Sequence, residues 1–208
     1  MKLQKMIVTN KNLREFNSLK IAVNAKYYIE CKTDRDLEVA FKFIKKNKIK
    51  FLILGEGTNI VFTKPFTGLI IKNAFKKEKK IYKNKVKVSS GYNWDRFVSF
   101  CIKNSLYGLE NLSGIPGTVG AGPIQNIGAY GEEISDYIEH IEVYNFKTGN
   151  LETLNNMNCN FDYRYSFFKK NKHLFIKNVF FKLKNKFIAN NSYQDLQVYE
   201  FKNASQLR

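Results

Sequence analysis

The chain reads as an α+β protein of two subdomains, on three observations. A helix-period stretch at residues 33–47 runs straight into the apolar segment FLIL and a glycine turn, the pattern of a β-α-β unit. The second half is dominated by strand-like runs separated by turn residues, with helices interspersed. Between the halves lies FKKEKK (75–80), a charged stretch suited to a surface link. The expected boundaries are 1–72 for the β-α-β subdomain, 73–190 for the strand-rich one and 191–208 for a tail.

In TDRDLEVAFKFIKKN, Leu37, Ala40, Phe41 and Ile44 stand at i, i+3, i+4 and i+7, which gives one apolar helix face. Thr33 is the expected N-cap, and acidic residues in the first turn complement the helix dipole. FLIL (51–54) is continuous and apolar, as a strand buried on both faces would be, and leads through GEGTN into the strand-like NIVF (59–62). LIIK (69–72) is a further strand. Beyond the link, IYKNKVKV (81–88) predicts a hairpin around Asn84. NWDRFVSFCIKN (93–104) is a second amphipathic helix with Trp94, Phe97, Val98, Cys101 and Ile102 on one face. IEHIEVYNF (138–146), the turn KTGN, LETL and the long run HLFIKNVFFKLK (173–184) complete the strand-rich half.

Apolar residues make up 44% and aromatics 15%, too much for a disordered chain. The start MKLQKMIVTN has no apolar signal region, and no stretch approaches the ~18 apolar residues of a membrane span, so a cytoplasmic protein with no membrane partner is expected. Cys31, Cys101 and Cys159 are odd in number and far apart, without CxxC spacing or clustered histidines. They read as buried reduced thiols, and no metal site is indicated. The net charge of +17 invites a nucleic-acid reading, but only Arg14, Arg35, Arg96, Arg164 and Arg208 are arginine, the residue suited to bidentate recognition of bases and phosphates. The lysines are scattered among Asn, Ile, Phe and Tyr, a mixture that AT-rich coding favours. A solvated lysine coat, rather than a nucleic-acid partner, is the expectation, with an electrostatic partner surface as the alternative. The coat has one gap. No Lys or Arg lies between Lys103 and Lys147, a segment that holds Glu110, Glu132, Glu133, Asp136, Glu139 and Glu142.

Two glycine-rich loops stand out. Gly55-Glu56-Gly57-Thr58-Asn59 offers consecutive backbone N–H groups, glycines free to take φ > 0, and two neutral side-chain donors, which is a way to cradle phosphate oxygens without cations. Gly114 to Pro123 has the same character, stiffened by Pro116 and Pro123. The third glycine of GxGxxG is missing from the first loop, and no GxxxxGK[ST] occurs anywhere. Either loop alone could be an ordinary tight turn; the pair points to a phosphate-bearing ligand.

LILGEGTNIVF, GLENLSGIPGTVGAGPIQNIGAYGEEI and FDYRYSFFKK resemble, in order and spacing, the signature blocks of the UDP-N-acetylenolpyruvoylglucosamine reductases, over about Leu19 to Leu196. The resemblance implies a vanillyl-alcohol-oxidase (PCMH) type FAD-binding fold, with non-covalent FAD between two α+β subdomains. It assigns Gly55, Glu56, Gly57, Thr58 and Asn59 to the FAD pyrophosphate. Ile115, Pro116, Gly117, Val119, Gly120 and Gln125 fall to the flavin and its ribityl chain. Neither loop holds a His or Cys for covalent attachment. The implied reaction moves a hydride from NADPH through the flavin to a UDP-sugar, UDP-N-acetylglucosamine enolpyruvate, and yields UDP-N-acetylmuramate for peptidoglycan synthesis. Arg164 in FDYRYS matches the family's catalytic arginine, with a surface ion pair as its plainer alternative, and Tyr193 in NSYQDL resembles the tyrosine that closes over the substrate diphosphate. The family's third domain, which supplies a proton-donating serine and a glutamate, would begin where this chain reaches Arg208. Ser166 is not that serine, because it lacks the preceding glycine and trailing proline of the family's block. Two expectations follow: a reductase by descent, shortened to its flavin-binding part, or a non-catalytic, degenerate FAD- or nucleotide-binding module, completed by the missing domain as a separate polypeptide or no longer active.

Overall fold

A computed structural model describes residues 6–76, 79–190, 196–197 and 199–208, with the side chains of Lys79 and Lys80 left out. Along the chain run β1 (Val8–Asn12), β2 (Asn24–Cys31), α1 (Asp34–Asn47), β3 (Phe51–Leu54), β4 (Phe66–Asn73), β5 (Lys79–Tyr82) and β6 (Lys85–Ser89). There follow α2 (Trp94–Lys103), the short pair β7 (Gly128–Ala129) and β8 (Glu132–Glu133), β9 (Ile138–Asn145), β10 (Leu151–Asn155), α3 (Phe167–Lys170), β11 (Leu174–Lys182) and α4 (Ala204–Leu207).

The first sheet has the order β1-β2-β4-β3. Its β2/β4 and β3/β4 pairs are parallel, and β1/β2 is antiparallel. Helix α1 is the crossover from β2 to β3. The backbone N–H of Thr33 donates to Asp36 Oδ2 at 2.8 Å while Asp36 N–H donates back to Thr33 Oγ1 at 3.4 Å, a reciprocal cap that satisfies two N-terminal donors. Leu37, Ala40 and Ile44 then bury the helix against Ile29, Leu69 and Ile71 of the sheet.

Two expectations for this half are corrected. FLIL is an edge strand and not one buried on both faces: Phe51, Leu52 and Ile53 are only half-buried, because β4 is the sole neighbour of β3 in the sheet. NIVF is not a strand. Because β3 and β4 are adjacent and parallel, residues 55–65 must carry the chain back along the whole strand length, and the connection cannot also pair in that sheet.

The second sheet, ordered β10-β9-β11-β6-β5, is antiparallel throughout, and the hairpin around Asn84 is its β5/β6 edge. Asn93 caps α2, accepting from Arg96 N–H at 3.0 Å, and Trp94, Phe97, Val98 and Cys101 pack into a core with Ile141, Val179 and Phe181. The seam between the sheets is aromatic. Phe75, Tyr144, Phe146 and Phe175 join the α1 core, with the Phe75 and Phe175 rings 5.6 Å apart. A bulge between Ile176 and Asn178 interrupts β11, and Lys177 within it reaches Asp34 of α1 at 2.8 Å.

The acids of the cation-free segment serve as internal acceptors. Glu132 accepts from Tyr137 Oη at 2.6 Å and Asn190 Nδ2 at 2.7 Å, Glu133 from Asn126 Nδ2 at 2.7 Å, and Glu142 from Asn178 Nδ2 at 2.7 Å. Glu110, buried with the Gly108 N–H at 2.6 Å, has its carboxyl pushed above the usual range by burial. All three cysteines are free and buried, and burial lifts the Cys159 thiol to about 12, which makes it unreactive. Among the described residues no helix is long and apolar enough to cross a membrane, and no cluster of His, Cys, Asp and Glu could hold a metal.

Candidate functional site

The two glycine loops meet at one cleft of about 450 Å³ between the sheets. One wall is β3 with its following loop, from Phe51 to Ile60; the other is formed by Ile115, Pro116, Thr118, Gly120 to Gly122, Ile124 and Gln125, with Phe168 and Ile176 closing the apolar end. The open edge of FLIL therefore runs along the cleft. A shallower hollow of about 350 Å³ at the outer edge of the first sheet, around Asn10, Asn24 and Phe66, holds none of the predicted site residues.

The first loop leaves β3 without continuing its ladder. The backbone N–H groups of residues 55–59 donate none of the hydrogen bonds found between described residues. Gly57 has φ +70°, and a Cβ on it would lie 2.2 Å from the carbonyl oxygen of Phe16. Its own carbonyl accepts from Ser18 N–H at 3.1 Å. The demand for glycine thus comes from the turn at residues 14–18 packing beneath the loop.

The second loop is fixed from outside. Asp95 on α2 accepts from Ser113 Oγ at 2.6 Å, Gly114 N–H at 2.9 Å and Arg208 Nη2 at 2.5 Å. Burial pushes the Asp95 carboxyl up, but these three donors outweigh it and hold the group below its usual range. Gly120 sits on Ser90, where a Cβ would come within 2.4 Å of the serine Cβ, and its N–H donates to Ser90 O at 2.8 Å.

Direct bonds join the loops. Asn59 Nδ2 donates to Gln125 Oε1 at 2.9 Å, and Thr58 Oγ1 donates to Pro116 O at 3.3 Å. Of the residues singled out from sequence, Gly55, Glu56, Gly57, Thr58, Asn59, Ile115, Pro116, Gly120 and Gln125 all line the cleft. Gly117 and Val119 do not; the Val119 side chain is fully buried in the core of the second sheet. Thr118 lines the cleft with its Oγ1 buried and without a hydrogen-bond partner, an orphan donor that sequence reasoning passed over. Lys169 and Lys172 also line it, so the cations missing from the loops arrive from α3 and the turn after it.

Arg164 stands apart from the lining. It is exposed on the turn ahead of α3 with φ +51°, its guanidinium 5.8 Å from the Tyr163 ring centre, and makes no ion pair among the described residues. Its carbonyl accepts from Lys169 Nζ at 2.5 Å, which ties this turn to a cleft residue. Ser166 is fully buried, its hydroxyl donating to Ile124 O at 2.7 Å, and is unavailable as a proton donor, in line with its dismissal from the sequence. Tyr193 lies outside the described residues.

A mixed α/β sheet and an antiparallel sheet clasping a cleft lined by two cation-free glycine loops define a protein of the vanillyl-alcohol-oxidase (PCMH) type of FAD-binding fold. The chain belongs to the family described as FAD binding domain, whose model matches residues 25–155. Its resemblance to UDP-N-acetylenolpyruvoylglucosamine reductases holds at greater length. The protein of that name from Buchnera aphidicola subsp. Baizongia pistaciae is 39% identical over 198 residues, covering 92% of this chain and 59% of the relative. One from Porphyromonas gingivalis is 37% identical over 164 residues, covering 76% and 48%. The chain thus spans about half to three-fifths of these relatives. They carry the matched region within one longer chain, which lends no support to a separate polypeptide for the remainder. In fold, the chain is similar to the UDP-N-acetylenolpyruvylglucosamine reductase of Thermus caldophilus (TM-score 0.71, 22% identity, 97% of this chain and 66% of that one). It is also similar to p-cresol methylhydroxylase (TM-score 0.56, 16% identity, 88% and 41%).

Proposed function

We propose that this chain binds FAD non-covalently in the cleft, as the flavin-binding part of a cytoplasmic, NADPH-dependent UDP-N-acetylenolpyruvoylglucosamine reductase of peptidoglycan synthesis. The observation that carries the reading is the first loop: five consecutive amides without acceptors in the described protein, facing a second glycine loop bonded to it. On this reading residues 1–72 and 73–190 are its two FAD-binding subdomains.

The donor set suits a diphosphate. Backbone N–H groups of residues 55–59 and the orphan hydroxyl of Thr118 would hold the phosphate oxygens, with no lysine required in the loops themselves. Ile115, Ile124 and Ile127 offer an apolar wall for a flat ring system and exclude water from it. When bound, FAD supplies a two-electron relay between NADPH and the enolpyruvyl double bond of the UDP-sugar. Arg164, exposed and without a carboxylate partner among the described residues, would pair bidentately with the substrate carboxylate and so stabilise the charge that develops beside it. Lys169 holds the Arg164 carbonyl and keeps that turn beside the cleft mouth. Tyr193 is assigned to the substrate diphosphate.

Titration of the purified protein with FAD, followed by flavin fluorescence and visible absorption, tests the reading. Saturable binding that is released on acid precipitation is expected. No binding under any reconstitution condition sinks the proposal, and yellow colour retained by the precipitate contradicts the non-covalent part. In a longer protein that carries the family's third domain, Arg164→Ala should leave FAD affinity unchanged while abolishing NADPH-dependent turnover of UDP-N-acetylglucosamine enolpyruvate.

A second reading, a non-catalytic FAD-binding module, is favoured by one observation: Arg164 is exposed and stands outside the cleft lining. Bound FAD that NADPH does not reduce would decide for it.

A further inference from the structure

The amides of the first loop are available because something turns the adjoining carbonyl the other way. On β4, Lys72 pairs in register with Glu30 of β2 and Leu54 of β3, one residue before the loop begins. Its Nζ donates to the carbonyl oxygen of Gly55. In a trans peptide the carbonyl and the next N–H point in opposite directions. A Gly55 carbonyl drawn onto Lys72 therefore sends the Glu56 N–H away from Lys72. Gly55 and Glu56 line the cleft, and Lys72 does not.

The side chain is half-buried, a costly place for an ammonium group unless it is engaged. The charged groups that bear on it are Glu56 in the loop, Lys76 beyond the strand and Glu30 across the sheet; burial lowers its proton affinity, and the two glutamates oppose that. Glu30 is shared with Lys32 at 3.2 Å, and no residue of the loop itself is a cation. Thus, among the described residues, the one lysine bonded to the cation-free loop comes from a neighbouring strand, 17 residues further along the chain, and grips a carbonyl instead of a carboxylate.

We infer that Lys72 is a positioning residue for diphosphate binding: its ammonium group fixes the Gly55 carbonyl so that the loop's N–H groups are presented, already oriented, to the phosphates of a dinucleotide. This rests on the FAD reading above and adds to it a residue that acts through the loop without lining the cleft. Pre-orientation lowers the ordering cost that binding would otherwise carry. A hydrogen bond with one charged partner corresponds to roughly tenfold or more in an equilibrium constant.

The test compares two flavins in Lys72→Met, which keeps the length and removes the charge, and in Lys72→Arg. Riboflavin shares the ring and ribityl chain of FAD and lacks the diphosphate. In Lys72→Met the affinity for FAD should fall by about tenfold or more, while that for riboflavin stays within about twofold; Lys72→Arg should stay within about threefold of the parent for both. Unchanged FAD affinity in Lys72→Met overturns the inference, and so does an equal loss of FAD and riboflavin, which would mark a general structural role. Should Lys72→Met lack the circular dichroism of the folded parent, Lys72→Gln takes its place: a loss of FAD affinity that spares riboflavin supports the clamp, and unchanged FAD affinity or an equal loss of both flavins overturns it. Failure of the parent protein to bind either flavin refutes the FAD reading itself, an outcome distinct from all of these.

Discussion

The loop at residues 55–59 is held by main chain and by one lysine: Gly57 rests on the carbonyl of Phe16, its own carbonyl accepts from Ser18, and Lys72 grips Gly55. The loop from Ser113 to Gly122 is held by a run of main-chain bonds and by a carboxylate: Val119 and Gly120 N–H donate to the Tyr92 and Ser90 carbonyls, Gly117 O accepts from Trp94 N–H, Asp95 gathers Ser113 and Gly114, and Gly120 is pressed against Ser90. Two strings of similar composition thus need their glycines for different reasons. At Gly57 both a left-handed backbone and a backbone contact forbid a Cβ; at Gly120 only the contact does; at Gly114, with φ +75° and nothing within 4 Å, only the backbone does. Glycine content alone does not say which of these applies.

Graded substitutions test that difference. Gly57→Ala carries both penalties and should cost about 3 kcal/mol or more in unfolding free energy by denaturant titration. A loss no larger than that of Gly114→Ala would erase the distinction between the loops. Gly120→Ala must move Ser90 or the loop, and about 1–3 kcal/mol is expected, with α2 and the second sheet affected before the first. Gly114→Ala should cost about 1 kcal/mol, since only the left-handed conformation opposes it. A much greater loss there would reveal packing that the structure does not contain.

The smallest effect belongs to Asp95. Its folded-state carboxyl is held below its ordinary value of 3.8, so the tie to Ser113, Gly114 and Arg208 is complete above that value and is lost as pH falls through the lower folded value. Trp94, the single tryptophan, is its chain neighbour. Its fluorescence should therefore change with an acid midpoint below pH 3.8 that Asp95→Asn removes. At neutral pH the same substitution should weaken FAD binding by only about two- to fivefold, because Asp95 is half-buried and stands behind the loop rather than in the cleft lining. A larger loss would make the second loop as dependent on its anchor as the first is on Lys72.

Local elements were the legible part of the fold. Helix α1 with its Thr33 cap, helix α2, the hairpin at Asn84 and strands β4, β9, β10 and β11 all follow from periodicity, capping residues and turn chemistry within short windows. Strands β1 and β2 were passed over: VTNKN and NAKYYIEC mix polar and apolar residues, and β1 pairs on the outer edge of the sheet. FLIL reads as doubly buried because a run of apolar letters does not say whether its strand has one neighbour in the sheet or two.

At the site, the sequence by itself determined the two cation-poor glycine loops, the left-handed freedom their turns require and the absence of a covalent attachment residue in them, since these depend on residue type and near neighbours alone. The tertiary structure decided which of those residues share a cleft, that Asn59 meets Gln125, that Val119 goes to the core and that Arg164 stands outside the lining. It also decided that the supporting cation is Lys72 and the orphan hydroxyl Thr118. The reason is the parallel pairing of β3 with β4 and the packing of one sheet against the other, which bring together residues separated by tens of positions. No local window of the chain contains both partners of such a contact.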